Sequence, residues 1–244
     1  MADLKGKIAL IIGGGGGIGL EIAKSLAEEG CKVALADYSE EFLKKAEKSA
    51  PGKTKFVWKT CDITNRPQVA ELFKWLSDEV GSIDILVNSA GINVANRAMA
   101  NVDPKDFDRV LAVNTIGPFN CMHAALPEMR KKKSGLIINI VSISGKHNIK
   151  LAGLPYCVSK FATGSLGNFT GLEECENGIR VTNIYPGEVN TPIVDKRPVP
   201  ATPEQKAAML QPEDIAACVV MVAKLPQRAI VTELVITPKH MMYP

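Results

Sequence analysis

Short apolar runs alternate with longer amphipathic stretches along the whole chain. Residues 7–12 read Lys-Ile-Ala-Leu-Ile-Ile, a buried-strand pattern, and a helical pattern covers 18–29. A strand is predicted at 32–37 and a helix near 39–48. Further strands are predicted at 54–59, 83–87, 135–141, 179–185 and 230–236, and further helices at roughly 66–80, 104–132, 154–176 and 212–224. Seven strands separated by helices imply a parallel sheet, because parallel neighbours need a crossover and the crossover helices cover both faces. Burial on both faces also explains why the strand segments are nearly continuous in Ile, Val, Leu and Ala. The expected architecture is a three-layer α/β fold.

No repeat, low-complexity tract or linker divides this pattern, so a single domain spanning 1–244 is expected. One stretch breaks the rhythm. Residues 186–212 hold Pro186, Pro192, Pro198, Pro200, Pro203 and Pro212 and follow the end of a predicted strand. Long irregular connections are often functional loops, and open α/β sheets bind ligands beyond the C-terminal ends of their strands. Hydrophobic residues make up 46% of the chain and charged residues 23%, enough to build a core without covalent staples. The 29 basic and 26 acidic residues nearly balance and the basic ones are scattered, which argues against a nucleic-acid partner. The one basic run, Lys131, Lys132 and Lys133, suits a solvated helix end. Six cysteines form no CxxC pair and mostly sit in apolar segments, the pattern of buried free thiols in a reducing compartment. His123, His147 and His240 lack metal-ligand spacing, and no metal is expected. No signal-peptide pattern opens the sequence and no apolar run approaches ~20 residues, so a cytoplasmic protein with no membrane partner is expected.

The first predicted strand runs into Gly13-Gly14-Gly15-Gly16-Gly17-Ile18-Gly19 and then a helix. Glycine lets the backbone turn tightly and approach a pyrophosphate, and the helix start offers unpaired N–H donors. Two registers fit: Gly14, Gly16 and Gly19 satisfy GxGxxG, and Gly13, Gly17 and Gly19 satisfy GxxxGxG. Either string alone also describes a flexible loop. The flanking strand and helix, with Asp37 18 residues beyond Gly19 at the end of the next strand, turn it into a dinucleotide fingerprint. A carboxylate there accepts hydrogen bonds from the adenosine ribose, which makes NAD the expected cofactor.

With these residues the chain resembles the short-chain dehydrogenases/reductases, in their compact single-domain branch, over essentially its whole length. Gly13-x-x-x-Gly17-Ile18-Gly19 is similar to the family's TGxxxGIG turn, with Ile12 where threonine is usual. Cys61-Asp62-Ile63 resembles the segment that approaches the adenine, and Asn88-Ser89-Ala90-Gly91 resembles NNAG with Ser89 for the second Asn. Asn114 matches the Asn of the family's catalytic tetrad, and Tyr156-Cys157-Val158-Ser159-Lys160 is the YxxxK motif. Ser142, three residues before Gly145, matches the catalytic Ser; its interval to Tyr156 is 14, one longer than expected, while Ser144 gives 12 and stays as an alternative. Pro186-Gly187 with Thr191 resembles the PGxxxT segment near the nicotinamide carboxamide. The resemblance implies a Rossmann-type fold with a seven-stranded parallel sheet and catalytic residues Asn114, Ser142, Tyr156 and Lys160. It implies a cofactor site drawn from Gly13, Gly16, Gly17, Ile18, Gly19, Asp37, Asp62, Ile63, Asn88, Ala90, Gly91, Tyr156, Lys160, Pro186, Gly187, Val189 and Thr191.

Hydride transfer to a carbonyl needs a proton donor at the developing alkoxide, and the reverse reaction needs a base. A free phenol, pKa ~10, is a poor base at neutral pH. Tyr156 and Lys160 lie four apart on a predicted helix and share a face, so the ammonium is expected to favour the phenolate. Reaching ~7 needs about 4 kcal/mol of differential stabilisation. The Ser142 hydroxyl can hold the substrate oxygen, and the resemblance implies that Asn114 orders a water relaying protons to Lys160. The expected activity is that of an NAD-linked alcohol dehydrogenase or ketone reductase acting on a small molecule, a polar hydroxy compound given the polar residues of 92–97, 143–153 and 188–205. Asp37, with no Arg or Lys among Gly14, Gly15 and Gly16, argues against an NADPH-dependent 3-oxoacyl thioester reductase. The intact Ser142, Tyr156 and Lys160 argue against a silent dinucleotide-sensing protein. The resemblance and the apolar positions of 104–132 and 154–176 imply a homo-oligomer, expected to be a tetramer, and residues 188–210 are expected to close over the site as a lid.

Overall fold

A computed structural model describes residues 2–52, 54–197 and 200–241; Pro198 of the proline-rich stretch lies outside them. The strands are β1 (Ile8–Ile12), β2 (Lys32–Asp37), β3 (Val57–Thr60), β4 (Ile85–Asn88), β5 (Gly135–Ile140), β6 (Ile179–Pro186) and β7 (Glu233–Ile236). They form one seven-stranded sheet in the order β3-β2-β1-β4-β5-β6-β7, with every pairing parallel. The helices are α1 (Gly17–Glu28), α2 (Glu40–Glu47), α3 (Arg66–Glu79), α4 (Pro104–Leu111), α5 (Gly117–Lys132), α6 (Leu154–Glu174), α7 (Pro203–Ala208) and α8 (Pro212–Ala223). The expected three-layer Rossmann-type architecture is therefore present.

Side chains along a strand point alternately to opposite faces, so one strand feeds two cores. In β1, Ala9 and Ile11 join Ile22, Leu26, Leu43, Ile215 and Val219 beneath α1, α2 and α8. Ile8, Leu10 and Ile12 join Val69, Leu72, Leu76, Met122 and Met129 beneath α3 and α5, with Leu166 of α6 packed alongside. The chain winds outward from β1 to β3, returns to place β4 beside β1, and then winds the other way. Strand order reverses between β1 and β4, the place at which open α/β sheets bind ligands beyond the C-terminal ends of their strands.

Local chemistry sets the helix starts. Ser39, Asn65 and Asp103 cap α2, α3 and α4 by accepting backbone N–H bonds. All six cysteines are free; four are buried, while Cys175 is exposed. Lys132 does not simply point into solvent: its ammonium bonds the Asp84 carboxylate (2.9 Å) at the start of β4.

Four features differ from the sequence pattern. β3 is an edge strand whose pairing starts only where Val57 meets Ala34, and β7 starts at Glu233 opposite Asn183. The proline-rich stretch contains α7, started by a capping box between Thr202 and Gln205. The predicted continuous helix 104–132 is interrupted by a π-helical turn, Ala112–Ile116, between α4 and α5. Such turns insert a residue into a helix, and this one places Asn114 inside the molecule.

No helix among the described residues is long and apolar enough to cross a membrane.

Candidate active site

The glycine turn joins β1 to α1 at the point where strand order reverses. Its structure separates the two registers. Gly13 and Gly17 adopt left-handed φ values of 77° and 54°. A Cβ on Gly13 would lie 2.7 Å from the backbone of Ala90, and one on Gly19 would lie 2.2 Å from the Gly13 carbonyl oxygen. Gly16 is extended and a Cβ there would meet nothing. The backbone thus demands glycine at 13, 17 and 19, the GxxxGxG spacing. Ile18 packs partly into the core of the α1 face.

Asp37 ends β2 with its carboxylate turned toward this loop: Oδ2 accepts from Gly15 N–H and Oδ1 from Ser39 N–H, both at 3.2 Å. Burial raises the Asp37 pKa, and the backbone donors oppose the rise. Asp62 lies just beyond β3, where Cys61 N–H bonds the Asp37 carbonyl (2.9 Å). Its carboxylate is engaged by the Thr64 N–H and hydroxyl at 2.9 and 2.7 Å. Ile63 is buried against Gly117, so its side chain serves packing and Asn120 holds its carbonyl (2.9 Å). Thr191, beyond the end of β6, packs beside Gly17. Pro186 ends β6, the Gly187 N–H bonds the Ile236 carbonyl (2.8 Å), and buried Val189 bridges to Leu210. Turn, Asp37, Asp62 and Thr191 therefore share one edge of the sheet, an arrangement whose open backbone and acid at the rim fit a dinucleotide.

Asn88, at the end of β4, turns its amide nitrogen into the sheet. It is buried and its Nδ2 donates to Asn139 Oδ1 (2.9 Å), which begins a ladder of amides across the sheet: Asn139 Nδ2 donates to Asn183 Oδ1 (3.0 Å) and Asn183 Nδ2 to Asn168 Oδ1 (2.8 Å). Gly167 of α6 leaves room for this ladder.

The four candidate catalytic side chains converge beyond β4 and β5. Tyr156 and Lys160 stand one turn apart in α6, and Tyr156 faces Ser142, the residue at which the 3₁₀ turn Ile143–Gly145 begins, closely enough for the Ser142 hydroxyl to pull the phenol's pKa down. Ser144 contributes instead through its backbone N–H, which Ser142 Oγ accepts (3.1 Å). Lys160 is 4% exposed, its ammonium 5.5 Å from the Tyr156 ring centre and bonded to the Ile140 carbonyl (3.0 Å). A Cβ on Gly91 would lie 3.6 Å from both Lys160 Nζ and Asn114 Oδ1, so Gly91 separates the two groups.

Burial dominates the electrostatics of this pair. Burial pushes the Tyr156 phenol up to about 12, against the pull of Ser142, and pushes the Lys160 ammonium down to about 8. Desolvation opposes both charged forms.

Sequence reasoning missed the residues that hold Asn114. Its amide oxygen accepts from the Ile92 N–H (2.8 Å), and its Nδ2 donates to the Ile92 carbonyl and to Ser159 Oγ, both at 3.0 Å. Its main-chain carbonyl accepts from the Thr163 hydroxyl (2.7 Å). Pro118 was the available signal: it stands four residues after Asn114 and has no N–H to offer that carbonyl. Arg97, within the polar segment 92–97, has a structural part as well. Its stem lies over Gly153, where φ is 82°, and its guanidinium bonds the Leu151 carbonyl (3.1 Å), pinning the segment that leads into α6.

Comparison with known proteins places these features in a family. The family model described as short chain dehydrogenase matches residues 7–200. An uncharacterised oxidoreductase of Staphylococcus saprophyticus is 35% identical over 240 residues, covering 98% of this chain and 100% of the relative. An alcohol dehydrogenase of the archaeon Thermococcus sibiricus, solved with 5-hydroxy-NADP, superposes with a TM-score of 0.87 at 25% identity, covering 98% of this chain and 100% of that one. A serine dehydrogenase solved with NADP+ superposes with a TM-score of 0.88 at 26% identity, covering 97% and 96%. With its parallel sheet, glycine turn and Ser142–Tyr156–Lys160 cluster, this chain belongs to the short-chain dehydrogenase/reductase family of oxidoreductases.

Proposed function

We propose that the protein is an NAD-dependent alcohol dehydrogenase or ketone reductase, a single catalytic domain acting on a small molecule. The observation that carries this reading is the convergence of Ser142, Tyr156 and the buried Lys160 ammonium next to the glycine turn, with the ammonium 5.5 Å from the Tyr156 ring centre. Gly13, Gly17 and Gly19 would cradle the pyrophosphate, Asp37 would accept from the adenosine ribose, and Thr191 with Pro186 and Gly187 would border the nicotinamide. The bound dinucleotide supplies the hydride acceptor for oxidation or the donor for reduction. Tyr156 takes the alcohol proton in oxidation and returns it in reduction, Ser142 donates a hydrogen bond to the same oxygen, and Lys160 opposes the phenol's high pKa. Asn114, fixed by Ile92, Ser159 and Thr163, forms the inner wall beside Lys160.

Asp37 supports NAD over NADP. Like charges ~4 Å apart cost about 4 kcal/mol at an effective dielectric of ~20, and Tyr38 and Ser39 follow Asp37 with no cation for a phosphate. After screening, a preference of roughly ten- to a thousand-fold is expected. We also read the protein as a cytoplasmic homotetramer, supported by exposed Ile116, Phe119, Phe161 and Phe169 on the π turn, α5 and α6.

The test is turnover of a panel of alcohols, polyols and hydroxy acids with NAD or NADP. Tyr156→Phe should abolish turnover while NADH still binds. Activity within a few-fold of wild type would refute Tyr156 as proton carrier. Equal kcat/KM for the two cofactors, or a preference for NADP such as the two solved relatives suggest, would refute the role given to Asp37.

A further inference from the structure

We propose that Glu233, on the edge strand β7, is a positioning residue for Ser142 and acts through Lys146. The proposal rests on the reading of Ser142 and Tyr156 given above.

The 3₁₀ turn that begins at Ser142 is closed by Lys146, whose N–H bonds the Ile143 carbonyl (2.9 Å). One side of the turn is seated on α6: a Cβ on Gly145 would come 2.7 Å from the Lys160 carbonyl oxygen. The other side is held by the Lys146 side chain. Its ammonium lies 4.5 Å above the centre of the Tyr185 ring and forms an ion pair with Glu233 Oε2. Glu233 Oε1 accepts from the Tyr185 hydroxyl (2.9 Å) and from Asn168 Nδ2 (3.0 Å). Asn168 belongs to α6, and its Oδ1 closes the amide ladder at Asn183 (2.8 Å).

Isolated surface ion pairs contribute little because two long side chains must be immobilised together. Here β6 and α6 already fix the carboxylate before the lysine reaches it. The lysine stem in turn runs over an aromatic ring that is only 1% exposed. The turn therefore cannot lift from α6 without breaking a pair whose acidic partner is immobile. Through this strut, the outer edge of the sheet sets the distance between the Ser142 hydroxyl and the Tyr156 phenol, two strands in from β7.

Two substitutions remove the strut with little change of shape. Lys146→Met keeps the stem over Tyr185, and Glu233→Gln keeps an oxygen for Tyr185 and Asn168. Lys146→Arg tests rescue. Because the Ser142 hydroxyl draws the Tyr156 pKa down, releasing the turn should raise it. The titration of Tyr156 is read by ultraviolet difference spectroscopy, with each variant referenced to the same variant carrying Tyr156→Phe, alongside steady-state kinetics and NADH affinity by fluorescence. Lys146→Met and Glu233→Gln should each lower kcat about tenfold, leave NADH affinity within about twofold, and move the Tyr156 titration to higher pH. Lys146→Arg should restore most of the activity. In a Ser142→Ala background, Lys146→Met should add no further shift, because both changes act through one hydroxyl. An unchanged titration and kcat, or a full additional shift without Ser142, would overturn the proposal. So would a loss of kcat matched by an equal loss of NADH affinity, which indicates general disruption. If Lys146→Met fails to fold, Glu233→Gln decides by the same measurements. Wild-type turnover by Tyr156→Phe would instead strike the functional reading, while the titration still reports whether the strut controls the phenol.

Discussion

Replacing Lys160 with methionine should abolish turnover yet make the protein more stable at neutral pH. Burial lowers the Lys160 pKa from 10.5 to about 8. A difference of that size between unfolded and folded chains corresponds to about 3 kcal/mol of unfavourable charge burial. At pH 7 both forms hold the proton, so the folded protein carries the whole cost. Above pH 8 the folded protein releases the proton while the unfolded chain keeps it until pH 10.5. The unfolded state then binds more protons, and wild-type stability rises with pH through that window. Methionine removes the cost but leaves the Ile140 carbonyl without the 3.0 Å bond from Nζ, which returns about 1 kcal/mol. Lys160→Met should therefore be more stable by about 2 kcal/mol at pH 7, roughly 4–8 °C in Tm for a chain of this size. The advantage should shrink to about zero near pH 10. Urea unfolding of both proteins at pH 7 and pH 10, without cofactor, measures this. A variant less stable than wild type at pH 7, or a difference that does not change with pH, would refute the idea that Lys160 is held as a costly cation.

The two registers of the glycine turn make opposite predictions at the positions they do not share: Gly16→Ala should retain NADH binding, and Gly13→Ala should lose it by at least about a hundredfold, since Gly13 is left-handed and its Cβ would collide with the backbone of Ala90. Fluorescence titration of NADH distinguishes them. Gly167→Ala would place a Cβ 2.1 Å from Asn183 Oδ1, breaking the amide ladder and lowering stability by about 2–4 kcal/mol in urea unfolding. Light scattering at micromolar concentration should give a tetramer mass, and Phe169→Asp, which charges the exposed apolar face of α6, should reduce it; a monomeric wild type would refute the assembly.

Most of the fold was legible because its signals are local. Near-continuous apolar runs and helical hydrophobic spacing depend on neighbours a few residues away, and all seven strands fall where those patterns lie. The glycine turn was legible for the same reason, since left-handed φ values at Gly13 and Gly17 belong to the backbone itself. Order along the chain also brought Ser142, Tyr156 and Lys160 to one site. The break in the helix at Ala112–Ile116 was not read, because residues 104–132 keep helical spacing throughout and hydrophobic spacing alone does not register the N–H that Pro118 lacks.

What the sequence by itself determined is which segments become strands and helices, and which residue types wait at the ends of the strands. Tertiary structure decided which partners those residues meet. Asn88, Asn139 and Asn183 are far apart in the chain and become a ladder only because parallel register sets them side by side. Glu233 reaches Lys146, 87 residues away, only because β7 lies beside β6. The proton affinities of Tyr156 and Lys160 depend on tertiary structure for the same reason. A shared helix face sets their spacing, but the depth of burial is set by the whole fold, and burial opposed both charges.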